Sequence, residues 1–226
     1  FKLGPAMAAG CPIIIRPSSE TPLAAYIIGE LCEEVGLPAG VVNILAGPAS
    51  SVADTLSRSP IPALLTLIGS SATGQEIIQT GAAGSIKRFS MELGGNAPVL
   101  VYKDADVEKA AADVATLKFA NTGQICVTPN RVYVDQAVAR QFADTVVAKA
   151  KEVKVGFGRD KGITMGPLVN VAARDRVHGW VQEAVEAGAT VLAGGKVPQG
   201  MERGAFYEPT VLYDVSSSYY EGRTCS

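Results

Sequence analysis

The stretch Ala63-Leu64-Leu65-Thr66-Leu67-Ile68, running directly into Gly69-Ser70-Ser71-Ala72-Thr73-Gly74, decides the class of fold. Six nearly all apolar residues are too few for a stable helix and predict a β-strand covered on both faces, as in a parallel sheet. The glycine- and serine-rich turn after it opens a helix, so a strand feeds a helix, the repeating unit of α/β proteins. The same alternation continues outward in both directions. Upstream, residues 12–15 and 41–45 read as strands. Between them Thr21 as N-cap, Pro22 at the first helical position and apolar Leu23, Ile27, Leu31 and Val35 predict a helix that Gly36 and Pro38 end. Three strands joined by helices predict a doubly wound half.

Downstream, residues 89–93 and 97–102 read as strands separated by Gly94-Gly95-Asn96, which places a domain boundary between 1–88 and 89–226. Asp106 caps a helix with Val107, Ala110, Val114 and Leu117 on one face, ending near Asn121-Thr122-Gly123. Helices over 138–150 and 171–187 follow, the latter with Val177, Val181 and Val185 in one row and Gly188 at its end. Strands at 131–134, 190–193 and 210–213 complete the pattern. The expected architecture is a partial doubly wound parallel sheet followed by a second α/β domain.

Composition bounds the chemistry. The 226 residues are 47% hydrophobic and 19% charged, which excludes disorder. Twenty Lys and Arg stand against 22 Asp and Glu, so a net charge of -2 supplies no basic field and argues against a nucleic-acid partner. A single histidine, His178, excludes multi-histidine zinc sites. The cysteines Cys11, Cys32, Cys126 and Cys225 form no CxxC pair, which points to no metal and no disulfide framework, and to a reducing, cytoplasmic setting. No apolar run approaches the roughly 18 residues of a membrane span, so no membrane partner is expected. A start at Phe1, with no initiator Met and already inside structured-looking sequence, suggests residues missing upstream.

Few residues can carry chemistry. The glycines of the 69–74 turn have P-loop spacing, but Gln75-Glu76 stand where the phosphate Lys and the Ser/Thr belong, and GxGxxG is absent. The turn reads either as an anion site at a helix N-terminus or as an ordinary strand-to-helix connection. Glu92 ends a strand just before two glycines, either as a carboxylate facing a cleft or as a solvated strand end. Cys126 lies past a helix in Asn121-Thr122-Gly123-Gln124-Ile125-Cys126, either as an activated nucleophile or as a small buried apolar residue. Cys11 and Cys32 read as structural and Cys225 sits in a polar tail. His178 lies one position off its helix's apolar row and reads as a boundary residue; Trp180, Phe157 and Phe206 read as core or interface.

Taken together, Met91-Glu92-Leu93-Gly94-Gly95-Asn96-Ala97-Pro98 and Phe119-Ala120-Asn121-Thr122-Gly123-Gln124-Ile125-Cys126 resemble the aldehyde dehydrogenase superfamily, whose pattern pairs an ELGG glutamate with a GQxC cysteine at this spacing. Supporting pieces are Gly4-Pro5-Ala6 with Ala9-Gly10, Arg16-Pro17-Ser18-Ser19-Glu20-Thr21-Pro22, Gly36-Leu37-Pro38, Gly40-Val41-Val42-Asn43, Gly69-Ser70, Met165-Gly166-Pro167-Leu168 and Glu208-Pro209-Thr210. The match runs over about residues 1 to 215. Within the superfamily the two motif stretches resemble the semialdehyde-oxidising branch, which includes succinate-semialdehyde enzymes.

The resemblance implies a dinucleotide-binding part over 1–88 and a catalytic, thiol-bearing part over 89–226. It implies Cys126 as nucleophile toward an aldehyde, Glu92 as general base for thioester hydrolysis, and a hydride passed to NAD or NADP. Gly69, Ser70, Gly94, Arg16 and Ser19 fall on cofactor-binding positions. Arg16 replaces the family's usual lysine and Ser19 a ribose-binding glutamate, which leans toward NADP with NAD tolerated. Ile68 stands where threonine is common. The family's oxyanion asparagine would precede Phe1, and the glutamate-phenylalanine motif expected after Asp214 is not found, so the chain reads as the middle of a longer, homo-oligomeric enzyme. Two other outcomes stay open: a CoA-acylating relative, and a truncated chain without turnover.

Overall fold

The computed structural model describes residues 1–216; Cys225 lies outside them. Two compact units divide the chain, Phe1–Glu92 and a second beginning at Leu93. The break falls after Glu92 rather than after residue 88 because Arg88–Glu92 is a strand that pairs within the first unit.

The first unit runs α1 (Leu3–Ala8), β1 (Ile13–Ile15), α2 (Leu23–Glu34), β2 (Val42–Ile44), α3 (Ala49–Arg58), β3 (Leu64–Ile68), α4 (Ser71–Gly84), β4 (Arg88–Glu92). β1 pairs in parallel with β2, Ile13 opposite Val42, and β3 in parallel with β4, Leu64 opposite Arg88. A parallel pair needs a crossover, and α2 and α4 supply one each. Each strand-helix-strand unit closes its own pair, so the strands form two parallel pairs instead of one continuous ladder.

β3 departs from the expectation of cover on both faces. Leu65 and Leu67 are partly buried, but Leu64 is 52% and Ile68 65% exposed. Helix α4 covers one face closely: a Cβ on Gly81 would stand 2.9 Å from Leu65 Cδ1 and 3.0 Å from Phe89 Cε1. The other face is open, so an unbroken apolar run behaves as an alternating strand. Helix α2 starts after Pro22 with no side-chain cap, the Pro22 carbonyl accepting from the Ala25 N–H, so Thr21 does not cap it.

The second unit runs β5 (Val99–Val101), α5 (Val107–Phe119), a short 3-10 turn (Ala120–Gly123), β6 (Val132–Val134), α6 (Ala139–Glu152), α7 (Val171–Glu186), β7 (Thr190–Ala193), β8 (Val211–Tyr213). β5 and β6 are parallel, β7 and β8 antiparallel. Asp106 accepts from the Lys109 N–H at 3.1 Å and caps α5, as its sequence predicts. Val101, Val107, Ala111, Ala115, Phe142 and Val146 form one core where α5 packs on α6; Leu168, Ala173, Val181 and Tyr207 form another beneath α7. Alanines at 111 and 115 let the helices approach closely, and each buried Val or Phe contributes roughly 1.5–3 kcal/mol. Among the described residues every buried hydrophobic side chain lies in this unit. Among the described residues no helix is long and apolar enough to cross a membrane.

Candidate functional site

Cys126 sits at the head of a tight turn. The Thr128 N–H bonds back to the Ile125 carbonyl at 3.0 Å, leaving Cys126 and Val127 as the central residues, both exposed. Below them Thr128 is almost wholly buried, its hydroxyl facing the Leu117 carbonyl at the end of α5. The turn therefore has a fixed base and a solvent-facing thiol. No hydrogen bond among the described residues engages the Cys126 N–H.

The chain reaches Cys126 through an inverted backbone. Asn121 (φ 48°, ψ 35°), Thr122 (φ 59°, ψ 31°) and Gly123 (φ 72°) are left-handed in succession. Glycine takes this region freely and asparagine tolerates it, but a β-branched threonine there costs on the order of 1–3 kcal/mol. Surrounding bonds hold it. Thr122 Oγ1 donates to the Gly166 carbonyl at 3.0 Å, and Asn121 Nδ2 donates to the Gln124 carbonyl at 3.1 Å. The Gln124 amide works in two directions, its Nε2 donating to the Asn121 carbonyl at 3.1 Å and its Oε1 accepting from the Val169 N–H at 2.8 Å. Beside the loop, Lys118 Nζ donates to Asn130 Oδ1 at 2.5 Å, and the Asn130 N–H bonds the Asn96 carbonyl, tying the ground beneath the turn to the glycine-rich segment.

Glu92 ends β4 opposite Ile68, and its carbonyl accepts from the Gly69 N–H, which joins two of the expected site positions through backbone. Its carboxylate is 41% exposed and pairs with Lys2 Nζ at 3.2 Å; the same ammonium donates to Ser90 Oγ. Sequence reasoning does not mark Lys2, because its partner is distant in the chain and no local motif surrounds it.

Arg16 and Ser19 meet directly, Arg16 Nη2 donating to Ser19 Oγ at 3.0 Å, while the Gly47 carbonyl accepts from the guanidinium. Ser70 caps α4, its hydroxyl accepting from the Thr73 N–H at 3.2 Å. Gly69 precedes this cap in unit one, and Gly94 lies in the second unit just past the break. Cys11 is exposed and Cys32 half-buried, both free thiols. His178 Nδ1 lies 2.9 Å from the Tyr207 hydroxyl, a structural pairing beneath α7. Among the described residues no cluster of His, Cys, Asp and Glu has metal-binding geometry.

The chain thus forms two α/β units, the second with an exposed thiol on a braced turn, and comparison with known proteins shows the family. The family model for the aldehyde dehydrogenase family matches residues 1–220. The chain is 40% identical over 217 residues to the NADP(+) succinate-semialdehyde dehydrogenase GabD of Escherichia coli strain K12, covering 96% of this chain and 44% of that one. It is likewise 40% identical over 214 residues to a glutarate-semialdehyde dehydrogenase of Pseudomonas putida, covering 95% and 44%. A crystal structure described as an E. coli NADP dependent enzyme superposes with a TM-score of 0.93 at 39% identity, over 99% of this chain and 46% of that one. The chain belongs to the aldehyde dehydrogenase family and has its α/β fold. It spans less than half the length of these relatives.

Proposed function

We propose that this chain carries the nucleophile and base of an NAD(P)-dependent aldehyde dehydrogenase that oxidises a short aldehyde bearing a distal carboxylate to the acid. The observation that carries this reading is the Cys126 thiol, exposed at the head of a braced turn with its own N–H unspent. The Cys126 sulfur attacks the aldehyde carbon, and the carbonyl oxygen becomes an oxyanion toward which the Cys126 N–H donates. A nicotinamide cofactor held by Arg16, Ser19, Gly69, Ser70 and Gly94 would supply the hydride acceptor that lets the Cys126 adduct proceed to a thioester. Glu92 takes a proton from water, the resulting oxygen attacks the thioester carbon, the carbon–sulfur bond breaks and thiolate returns. Lys2, 3.2 Å from Glu92, orients that carboxylate.

The cofactor fits the residues present. Arg16 presents a guanidinium beside the Ser19 hydroxyl, and Ser19 stands where the family's ribose-binding glutamate would repel a 2′-phosphate, so NADP is favoured and NAD tolerated. Gly69, Ser70 and Gly94 complete this assignment, with residues 1–88 extended to Glu92 as the dinucleotide-binding part and the remainder as the catalytic part. Succinic or glutaric semialdehyde is the substrate class suggested by the relatives' names. The open apolar faces of the first unit support a homo-oligomeric parent, and the three described free thiols support a cytoplasmic setting.

The test is formation of reduced nicotinamide from succinic semialdehyde, with a simple aliphatic aldehyde and NAD in place of NADP as comparisons. Cys126→Ala abolishes turnover, and Glu92→Gln slows steady turnover about 100-fold or more while sparing the first hydride transfer. Unchanged rates in Cys126→Ala, or no reduced nicotinamide from the well-folded chain, would refute the reading. Product that requires added CoA would replace hydrolysis with acyl transfer.

A further inference from the structure

We infer that Gln124 is a positioning residue that clamps the Cys126 turn onto the Gly166–Val169 segment and so sets the presentation of the thiol. The inference deepens the proposed function and rests on Cys126 being the nucleophile. Three observations carry it. The backbone before Cys126 is left-handed at three consecutive positions, one of them the β-branched Thr122, a conformation that persists only where neighbours hold it. The holding bonds are few and converge: Thr122 Oγ1 on the Gly166 carbonyl, and Gln124 Oε1 on the Val169 N–H, each reaching more than forty residues along the chain.

The segment they grip is itself anchored. The Met165 N–H bonds the Lys154 carbonyl, and the Met165 side chain is buried. Leu168 is buried under α7, with its N–H on the Ala205 carbonyl. Asn170 caps α7 through the Ala173 N–H at 2.9 Å. Gln124 thus bolts a strained, exposed loop to a rigid strut, and its Nε2 closes the loop on itself through Asn121. Thr122 reaches the same strut, so the thiol-bearing turn is held on both sides of the inverted backbone. Freed of Gln124, that backbone relaxes and Cys126 samples several orientations instead of one.

The experiment compares the full chain with Gln124→Met, which matches the side chain in length but neither accepts nor donates a hydrogen bond. The companion variant Gln124→Glu keeps an acceptor for Val169. Alkylation by iodoacetamide is followed at each cysteine by peptide mass spectrometry, with exposed Cys11 as internal control, and amide exchange is followed at Val169 and Leu168. Gln124→Met is expected to speed exchange at Val169 but not Leu168, and to slow Cys126 alkylation about tenfold with Cys11 unchanged, the scale on which misplacement of a reacting group tells. Gln124→Glu is expected to restore most of both. Unchanged Val169 exchange, Cys126 alkylation within twofold of the parent, or no recovery in Gln124→Glu would each overturn the inference. Should Gln124→Met fail to fold, Gln124→Glu decides alone: parent-like labelling supports the clamp and loss of it refutes it. Alkylation needs no aldehyde oxidation, so absence of turnover would count against the proposed function and leave this result standing by itself.

Discussion

Tyr207 shows how one side chain can make stability depend on pH. It is 4% exposed, its ring meets His178 edge-on, and its hydroxyl lies 2.9 Å from the imidazole Nδ1. Burial, with the charge of Glu208 in second place, pushes its pKa up from 10.0 to about 12. A raised pKa means the folded chain holds the phenolic proton more tightly than the unfolded chain does. The resulting stabilisation is complete below pH 10 and is lost as pH rises toward 12. Denaturant midpoints measured across that window should fall more steeply for the parent than for Tyr207→Phe, and equal slopes would sink the argument. At neutral pH the same variant should cost about 1 kcal/mol, because His178 loses its partner. Individual residues differ in how far the sequence exposes them. Cys126 and Glu92 stand in compact motifs, so their candidacy is legible locally. The bonds that brace the Cys126 turn run from Thr122 and Gln124 to residues 166–169, and no periodicity or spacing rule encodes a contact of that range. Lys2 beside Glu92 is hidden for the same reason.

At the scale of elements, punctuation is what the sequence conveys best. Strand β3, helix α5 behind Asp106, and helix α7 all lie within a residue or two of where apolar period and capping residues put them, and α4 opens at the glycine- and serine-rich turn as expected. Helices α1 and α3 escape notice, α1 because it is only six residues long and α3 because its apolar side rests on Val52, Ala53 and Leu56 alone in a serine-rich stretch. The cover on β3 was invisible for a different reason: an apolar run says that a face can be buried, and the neighbours decide whether it is. The turn after β7 offers a sharp test at this scale. Gly194 has φ 66°, and a Cβ there would collide with the Pro209 carbonyl oxygen and stand 2.8 Å from Thr210 Oγ1. Gly194→Ala therefore strains the backbone and collides with the strand entry to β8, and should cost about 1–3 kcal/mol in thermal or chemical unfolding. A variant as stable as the parent would show that this turn shifts freely.

Across the whole molecule, burial is uneven. Among the described residues the second unit holds all the buried hydrophobic side chains, while in the first Leu23, Ile27 and Leu31 of α2, Val35 at its end and the β3 residues Leu64 and Ile68 face outward. Local opening free energy follows buried apolar contact, so amide exchange should be fast through β1 to β4 and slow through α5, α6 and α7. Uniform protection over both units would contradict this. The helix-crossed parallel pairs are readable from alternation of period along the chain; the antiparallel β7–β8 pair and the openness of the first half are not, since pairing and exposure depend on what lies against an edge or a face.

Helix α7 carries the chain's one tryptophan, with Arg176 stacked 5.7 Å from the Trp180 ring centroid, and its one histidine. The two handiest spectroscopic reporters, indole fluorescence and the isolated imidazole resonance, are therefore both mounted on the better-packed unit. A melting curve recorded through either one would register the loss of that half alone. It would pass silently over any earlier collapse around β1 to β4, and a purified sample could look intact by its emission spectrum with its other half already undone.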